Sequence, residues 1–322
     1  MEFLRVIYNR FFVDFQAPNA DLSGRVCLVT GSNTGIGYEA ALHLAKRNPS
    51  ILVLGVRSIS KGQAAAESIY RQCTTFRGRI EVWELDMARF DSVISFGKKC
   101  KADLPRLDIA ILNAAVGSAK YAQTSDTWEI NLQVNVLSTG LLGFILLPKL
   151  RQTASEKDAQ SGSPLKPHLT IVSSDAQYTA AFKCRHAPGQ LLIALNDPEN
   201  FSMIDTYNTS KLLVMFLVRE LAALPIATNV IVNAVNPGMT VSGLKKDLPW
   251  IVRVISDALA WSAEKGSRNY IYAAFTDTPP AAFINCCKER APAGQVTSSD
   301  GQRIQKKFWI EIQELYQRLL SD

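Results

Sequence analysis

The chain alternates short, nearly continuous apolar runs with longer stretches of helical period, and no other feature restricts its fold as much. Residues 25–30 (RVCLVT), 51–56 (ILVLGV), 80–86 (IEVWELD), 107–114 (LDIAILNA), 169–174 (LTIVSS) and 228–236 (TNVIVNAVN) read as strands. Their lack of strict polar alternation suits strands buried on both faces, as in a parallel sheet covered by helices. Residues 36–47, 61–71, 90–101, 135–150 and 209–224 supply the crossover helices. Strand–helix–strand repetition of this kind predicts an α/β fold, a doubly wound parallel sheet with helices on both faces. No repeat and no long Pro/Gly/Ser-rich linker interrupts the 322 residues, so one domain is expected over 1–322.

Composition removes several classes of function. A hydrophobic fraction of 47% excludes a disordered chain, a collagen and a small disulfide scaffold. The net charge of +6 comes from scattered basic residues, which can attract anions generally but form no stripe for nucleic acid. Six cysteines (Cys27, Cys73, Cys100, Cys184, Cys286, Cys287) show no CxxC pair, and the three histidines lie far apart, so no metal site is expected. Reduced thiols in a cytoplasmic protein are the simplest reading. Residues 1–15 are apolar and aromatic, but Arg5, Arg10 and Asp14 break the run. That segment suits a short packed helix or, at most, a weak amphipathic membrane contact. The most apolar stretch, residues 134–147, is shorter than the ~20 residues that span a bilayer, and it reads as a buried helix.

Directly after the first strand comes TGSNTGIG, opening a helix. Gly31 allows a tight turn, Gly35 lets backbone approach a pyrophosphate, and Gly37 lets helix and strand pack closely. With Ser32, Asn33, Thr34 and Ile36 they form a candidate phosphate cradle at a helix N-terminus, the mark of a Rossmann-type sheet. At the end of the second strand an acidic residue would bind the 2′-hydroxyl of NAD. This chain has Arg57 there, with Lys61 nearby. A guanidinium can pair with a 2′-phosphate, so NADP(H) is favoured as cofactor, against the plainer reading of a solvated surface arginine.

Residues 207–211 (YNTSK) place Tyr207 and Lys211 on one helical face. A phenol ordinarily titrates near 10, and a nearby ammonium lowers that value, which would ready it for proton transfer.

Together these elements resemble the short-chain dehydrogenase/reductase family. TGSNTGIG matches its TGxxxGxG, and Asn113-Ala114-Ala115 its NAG element. Asn135 matches its helix asparagine, Ser173-Ser174 close the fifth strand, YNTSK carries Tyr and Lys, and Pro237-Gly238 follow the sixth strand. All occur in family order over roughly residues 22–245. SNTGIGYEAA, the VRS-xx-KG element and YNTSKLL look most like the retinol-dehydrogenase-like branch and similar fungal reductases of secondary metabolism.

The resemblance implies roles. Tyr207 would exchange a proton with the carbonyl or hydroxyl oxygen, Ser174 would hydrogen-bond that oxygen, and Lys211 would hold the nicotinamide ribose. Asn135 would place a water between Lys211 and solvent. Asn113 and Ala114 would flank the adenosine ribose, Asp86 the adenine, Pro237 and Gly238 the nicotinamide, and Ser242 its carboxamide or phosphate region. The implied activity is an NADPH-dependent interconversion of carbonyl and alcohol on a hydrophobic small molecule. A cofactor-binding protein without redox chemistry is the alternative, and the intact Tyr207, Lys211, Ser174 and Asn135 argue against it. Members often form homodimers through helices matching residues 135–150 and 209–224, and both stretches are apolar here.

Some residues depart from the family pattern. Ala115 replaces a glycine, and Ser138 replaces the glycine that commonly follows the helix asparagine. Beyond an N-terminal arm (1–21), residues 175–206 form an insertion between Ser174 and Tyr207, which leaves Ser173 as an alternative to Ser174. Leu191, Leu192, Phe201 and Met203 either wall a substrate pocket or belong to a surface excursion. Residues 239–263 correspond to the segment that closes over substrate in the family, and a last strand is expected near 282–285.

Overall fold

The computed structural model describes residues 15–155, 166–240 and 260–321. The strands are β1 (Val26–Thr30), β2 (Ile51–Val56), β3 (Arg79–Glu84), β4 (Ile109–Leu112), β5 (His168–Val172), β6 (Ile231–Val235), β7 (Phe283–Asn285) and β8 (Lys288–Arg290). They make one sheet in the order β3-β2-β1-β4-β5-β6-β7-β8. All neighbours pair in parallel except the β7–β8 hairpin. Winding reverses between β1 and β4, where a crevice opens beyond the carboxyl ends of the strands. The continuous apolar runs are explained directly, because every residue of β1, β2, β4 and β5 is buried.

Helices α1 (Gly35–Ala45) and α2 (Ile59–Gln72) cover one face together with α7 (Ala263–Phe275). Helices α3 (Phe90–Asp103), α4 (Ile130–Ser155) and α6 (Met203–Ala223) cover the other. Among the described residues α4 alone is long and apolar enough to cross a membrane, and most of it is buried inside the protein. Helix α4 begins earlier than expected because the buried Glu129 caps it, accepting from Leu132 N at 2.8 Å. Its segment Gln133–Ser138 widens into a π turn. Helix α6 also starts early. Thr206 Oγ1 accepts from Ser202 N at 2.9 Å, while Ser202 O accepts from Thr206 N at 2.8 Å, which closes the first turn.

Two elements were not anticipated. β8 follows a two-residue turn made by Cys286 and Cys287, both left-handed at φ +53° and +52°, as a tight hairpin of this kind requires. The second is the C-terminal helix α8 (Ser299–Ser321). It buries Ile304, Phe308, Ile312 and Leu315, a helical stripe visible in the sequence, across α4 and α6. Phe308 packs on Phe216 of α6 and Tyr316 on Phe144 of α4.

The expected insertion folds into short turns and helix α5 (Leu191–Asn196). The last residues of the arm pack on α1 and α7. Phe15 meets Trp261 edge-on at 5.3 Å, and Pro18 O accepts from Arg47 Nε at 3.0 Å. The rest of the arm and most of the expected lid, residues 241–259, lie outside the described residues. The lid's two ends meet, with Thr240 bridging Trp261 and Trp261 N donating to Met239 O at 2.7 Å.

Glu311 of α8 anchors the insertion. Its carboxylate accepts from Leu191 N and Leu192 N, each at 2.8 Å, and so caps α5. Glu311→Ala would leave buried N–H groups unpaired, at a cost of about 1–3 kcal/mol. A lowered urea midpoint with an unchanged slope is the expected result, and an unchanged midpoint would contradict this role.

Candidate active site

The glycine turn sits at the carboxyl end of β1. Gly31 and Gly35 are left-handed at φ +65° and +61°. A Cβ on Gly37 would lie 2.4 Å from Gly31 O and 2.5 Å from Asn113 Nδ2, whereas one on Gly35 would meet nothing within 4 Å. Gly37 is therefore there for close packing, and Gly35 faces open space. The Thr34 side chain does not cap α1, so the first N–H groups of the helix stay available to an anion. Ser32 is buried with its hydroxyl unpartnered among the described residues, and Asn33 and Ile36 are half-buried beside it.

The turn is tied to the end of β4. Thr30 Oγ1 accepts from Asn113 N and Ala114 N, both at 3.0 Å. Asn113 Nδ2 donates to Thr30 O at 2.9 Å and Gly31 O at 3.2 Å, and its Oδ1 accepts from the Tyr270 hydroxyl at 3.1 Å. Tyr270 of α7 was not foreseen, since no local pattern connects a helical tyrosine near the C-terminus with a loop after β4.

Arg57 lies just past β2, exposed and with no side-chain partner among the described residues. Lys61 is exposed in the first turn of α2, and its backbone N–H donates to Ser58 Oγ at 3.5 Å. Asp86 falls beyond the end of β3. Its Oδ1 accepts from Ala88 N at 3.0 Å, so part of its carboxylate shapes the loop.

A cavity of about 470 Å³ runs from Ile36 and Asn113 past Ser174, Tyr207 and Lys211 to Pro237, Gly238 and Thr240. Lys211 is buried, with Nζ donating to Val172 O at 3.1 Å and standing 5.8 Å from the Tyr207 ring centre. Burial lowers the Lys211 ammonium to about 8. For Tyr207 the expected downward pull of the ammonium is not the main influence. Burial pushes the phenol up to about 12, and its hydrogen bond with Ser174 works in the opposite direction. Asn236, at the same wall, has a buried amide Nδ2 without a partner among the described residues.

The two serines separate clearly. Ser173 is buried and donates to Lys211 O at 3.0 Å, pinning α6 to the sheet. Ser174 lines the cavity, bonds Tyr207, and accepts from Ala176 N at 3.1 Å. Asn135 sits in the π turn of α4. Its Nδ2 donates to Val116 O at 2.9 Å and Ser210 Oγ at 3.0 Å, and its Oδ1 accepts from Val116 N at 2.8 Å. Gly238 is left-handed at φ +77°, and a Cβ there would lie 2.4 Å from the Trp261 ring. Ser242 lies outside the described residues.

Of the apolar residues expected to wall the pocket, only Met203 does so. Leu191 and Leu192 are buried in the core beside α8, and Phe201 packs edge-on against Tyr121 at 6.0 Å. Ile204, unforeseen, joins Met203 at the cavity with Ala115, Ala119 and Met239.

Known proteins resemble this chain in sequence and fold. The short chain dehydrogenase family model matches residues 25–160. A short chain dehydrogenase/reductase of the fungus Cryptosporiopsis sp. is 35% identical over 316 residues, covering 95% of this chain and 94% of the relative. The chain belongs to the short-chain dehydrogenase/reductase family. A short chain dehydrogenase of Alternaria solani is 38% identical over 269 residues, 83% of this chain and 90% of its own. Among solved structures, an oxidoreductase from E. coli superposes with TM-score 0.60 at 22% identity, over 84% of this chain and 98% of that one. A Shigella flexneri short chain dehydrogenase complexed with NADP gives TM-score 0.58 at 21% identity, covering 81% and 95%. The family uses nicotinamide cofactors, and the chain is an oxidoreductase of that family.

The open face at Gly35, the uncapped N-terminus of α1 and the unpartnered Ser32 and Asn236 groups fit a dinucleotide along the crevice. The serine assignment has a direct test. Ser174→Ala should lower turnover by roughly 10²–10³-fold with little change in stability, as for loss of an oxyanion donor. Ser173→Ala should cost about 0.5–1.5 kcal/mol of stability and keep turnover within a few-fold. Swapped outcomes in steady-state kinetics and thermal denaturation would refute the distinction.

Proposed function

We propose that this protein is an NADPH-dependent reductase that interconverts a carbonyl and an alcohol on a hydrophobic small molecule. The observation that carries this reading is the cluster of Tyr207, Ser174 and Lys211 at the wall of an apolar cavity continuous with the glycine turn. Gly31, Ser32, Asn33, Thr34, Gly35, Ile36 and Gly37 would cradle the pyrophosphate, with Arg57 and Lys61 facing the 2′-phosphate and Asp86 the adenine. Asn113, Ala114, Lys211, Pro237 and Gly238 would hold the rest of the cofactor. When bound, NADPH supplies the hydride for the carbonyl carbon.

The chain's own residues govern the proton. A phenol held near 12 stays protonated at neutral pH, which is the state a proton donor needs. As charge grows on the carbonyl oxygen, that oxygen becomes more basic than the phenol and takes the Tyr207 proton. The Ser174 hydroxyl steadies the same oxygen by a hydrogen bond. The Lys211 ammonium favours the phenolate that is left, and Asn135 is assigned the water through which the proton returns from solvent.

The apolar lining by Ala115, Ala119, Met203, Ile204 and Met239 supports a hydrophobic substrate. We extend the reading to a ketoreductase of secondary metabolism, on the resemblance of SNTGIGYEAA and YNTSKLL to such fungal reductases. A reducing, cytoplasmic setting suits the six free thiols. A homodimer is also proposed, although Phe308 and Tyr316 of α8 already pack on the α6 and α4 faces that the resemblance implied for it.

NADPH oxidation by the purified chain, followed at 340 nm (the usual nicotinamide absorbance) against a panel of apolar ketones and aldehydes, tests the activity. Tyr207→Phe should lower turnover ~10²–10⁴-fold while NADPH still binds. Near-normal turnover in that variant would remove Tyr207 as the acid. Arg57→Ala should weaken NADPH binding by about 1–3 kcal/mol and leave NADH nearly unchanged, as for a lost charge-assisted hydrogen bond. Equal losses for the two cofactors would rule out recognition of the 2′-phosphate.

A further inference from the structure

The C-terminal helix reaches the catalytic machinery through one hydroxyl. Tyr316 of α8 is buried, and its OH donates to the backbone carbonyl of Leu137 at 2.8 Å. Leu137 belongs to the π turn Gln133–Ser138, where the regular helical pairing of carbonyls is interrupted. The same turn carries Asn135, whose Nδ2 meets Ser210 Oγ at 3.0 Å, and that hydroxyl donates to Tyr207 O at 2.7 Å. A continuous path of covalent and hydrogen bonds therefore leads from α8 through the π turn to the backbone of Tyr207.

Gly140 makes room for this contact. A glycine inside a helix weakens it relative to alanine, so its place in α4 calls for a reason. A Cβ at Gly140 would stand 2.3 Å from the Tyr316 hydroxyl oxygen, closer than packed atoms approach. The glycine opens a socket in α4, and the tyrosine hydroxyl fills it.

We propose that Tyr316 is a positioning residue for the reaction at Tyr207. Its hydroxyl satisfies a carbonyl of the π turn and thereby holds Asn135 where it meets Val116 and Ser210 together. The kinetic consequence rests on the function proposed above. The structural consequence does not.

The test uses the full chain and compares Tyr316→Phe, Gly140→Ala and the control Ile304→Val, which trims α8 away from the socket. Loss of one buried hydrogen bond should speed amide hydrogen exchange over residues 133–139 about three- to tenfold in Tyr316→Phe. In the same variant kcat should fall about three- to tenfold while KM for NADPH stays within about twofold. Gly140→Ala should act in the same direction, because its methyl evicts the hydroxyl. The double variant should be less impaired than the two single effects combined, since the methyl then occupies the vacated space. Ile304→Val should lower thermal stability without changing exchange in the turn or the ratio of kcat to KM. Unchanged exchange in Tyr316→Phe, or the same kinetic loss in Ile304→Val, would overturn the proposal. If the wild-type chain reduces no carbonyl, the proposed function fails and takes the kinetic role with it, while exchange still decides whether Tyr316 holds the turn.

Discussion

The cross-tie between Thr30 and Asn113 is the constraint on which the rest of the site depends. It joins β1 and β4, the two strands between which the winding reverses and the crevice opens. Thr30 Oγ1 takes two backbone N–H groups from the β4 loop, and Asn113 returns its amide to Thr30 O and Gly31 O. Tyr270 closes the arrangement from α7. Each of these groups is polar and at least half-buried, so a missing partner would cost about as much as a good hydrogen bond contributes. The glycine turn is thereby held rigid at its base while Gly35 stays open toward the crevice.

The catalytic helix is fixed by the same kind of economy. Ser173 binds the backbone of Lys211, Val172 O receives its ammonium, and Asn135 reaches Ser210. Burial of Lys211 is unfavourable to its charge, and the fall to about 8 records that cost. The carbonyl of Val172 offsets part of it. Tyr207 shifts the other way for the same physical reason, since burial favours the neutral form of each group.

The segments added to the common core attach through buried polar contacts as well as apolar ones. Glu311 caps the insertion helix, Tyr316 enters α4 at Gly140, and Phe308 covers Phe216. At the amino ends of the central strands β1 and β4, Asp108 takes Arg25 and Arg106 and also accepts from Val26 N at 2.9 Å. The carboxyl ends of β1 and β4 are thus left for chemistry while their amino ends are closed by charge pairing.

The order of strands and crossover helices, the glycine turn and the Tyr207/Lys211 pair were legible in the sequence. Each is a local pattern whose spacing reflects the geometry of a strand, a turn or a single helical face. Ser174 was preferred to Ser173 only through the family match, because adjacent residues at a strand end point to opposite sides and only the packing of α6 shows which side is the cavity. Leu191 and Leu192 read as pocket wall or surface excursion and are neither, because Glu311, more than a hundred residues away, holds them in the core. Helix α8 carries a stripe of helical period that was not anticipated, and its destination is not a local property at all. Periodicity determines that a face will be buried, whereas the surface that buries it depends on contacts between residues far apart in the chain. Tertiary structure alone brought Tyr316 to Leu137 and Tyr270 to Asn113.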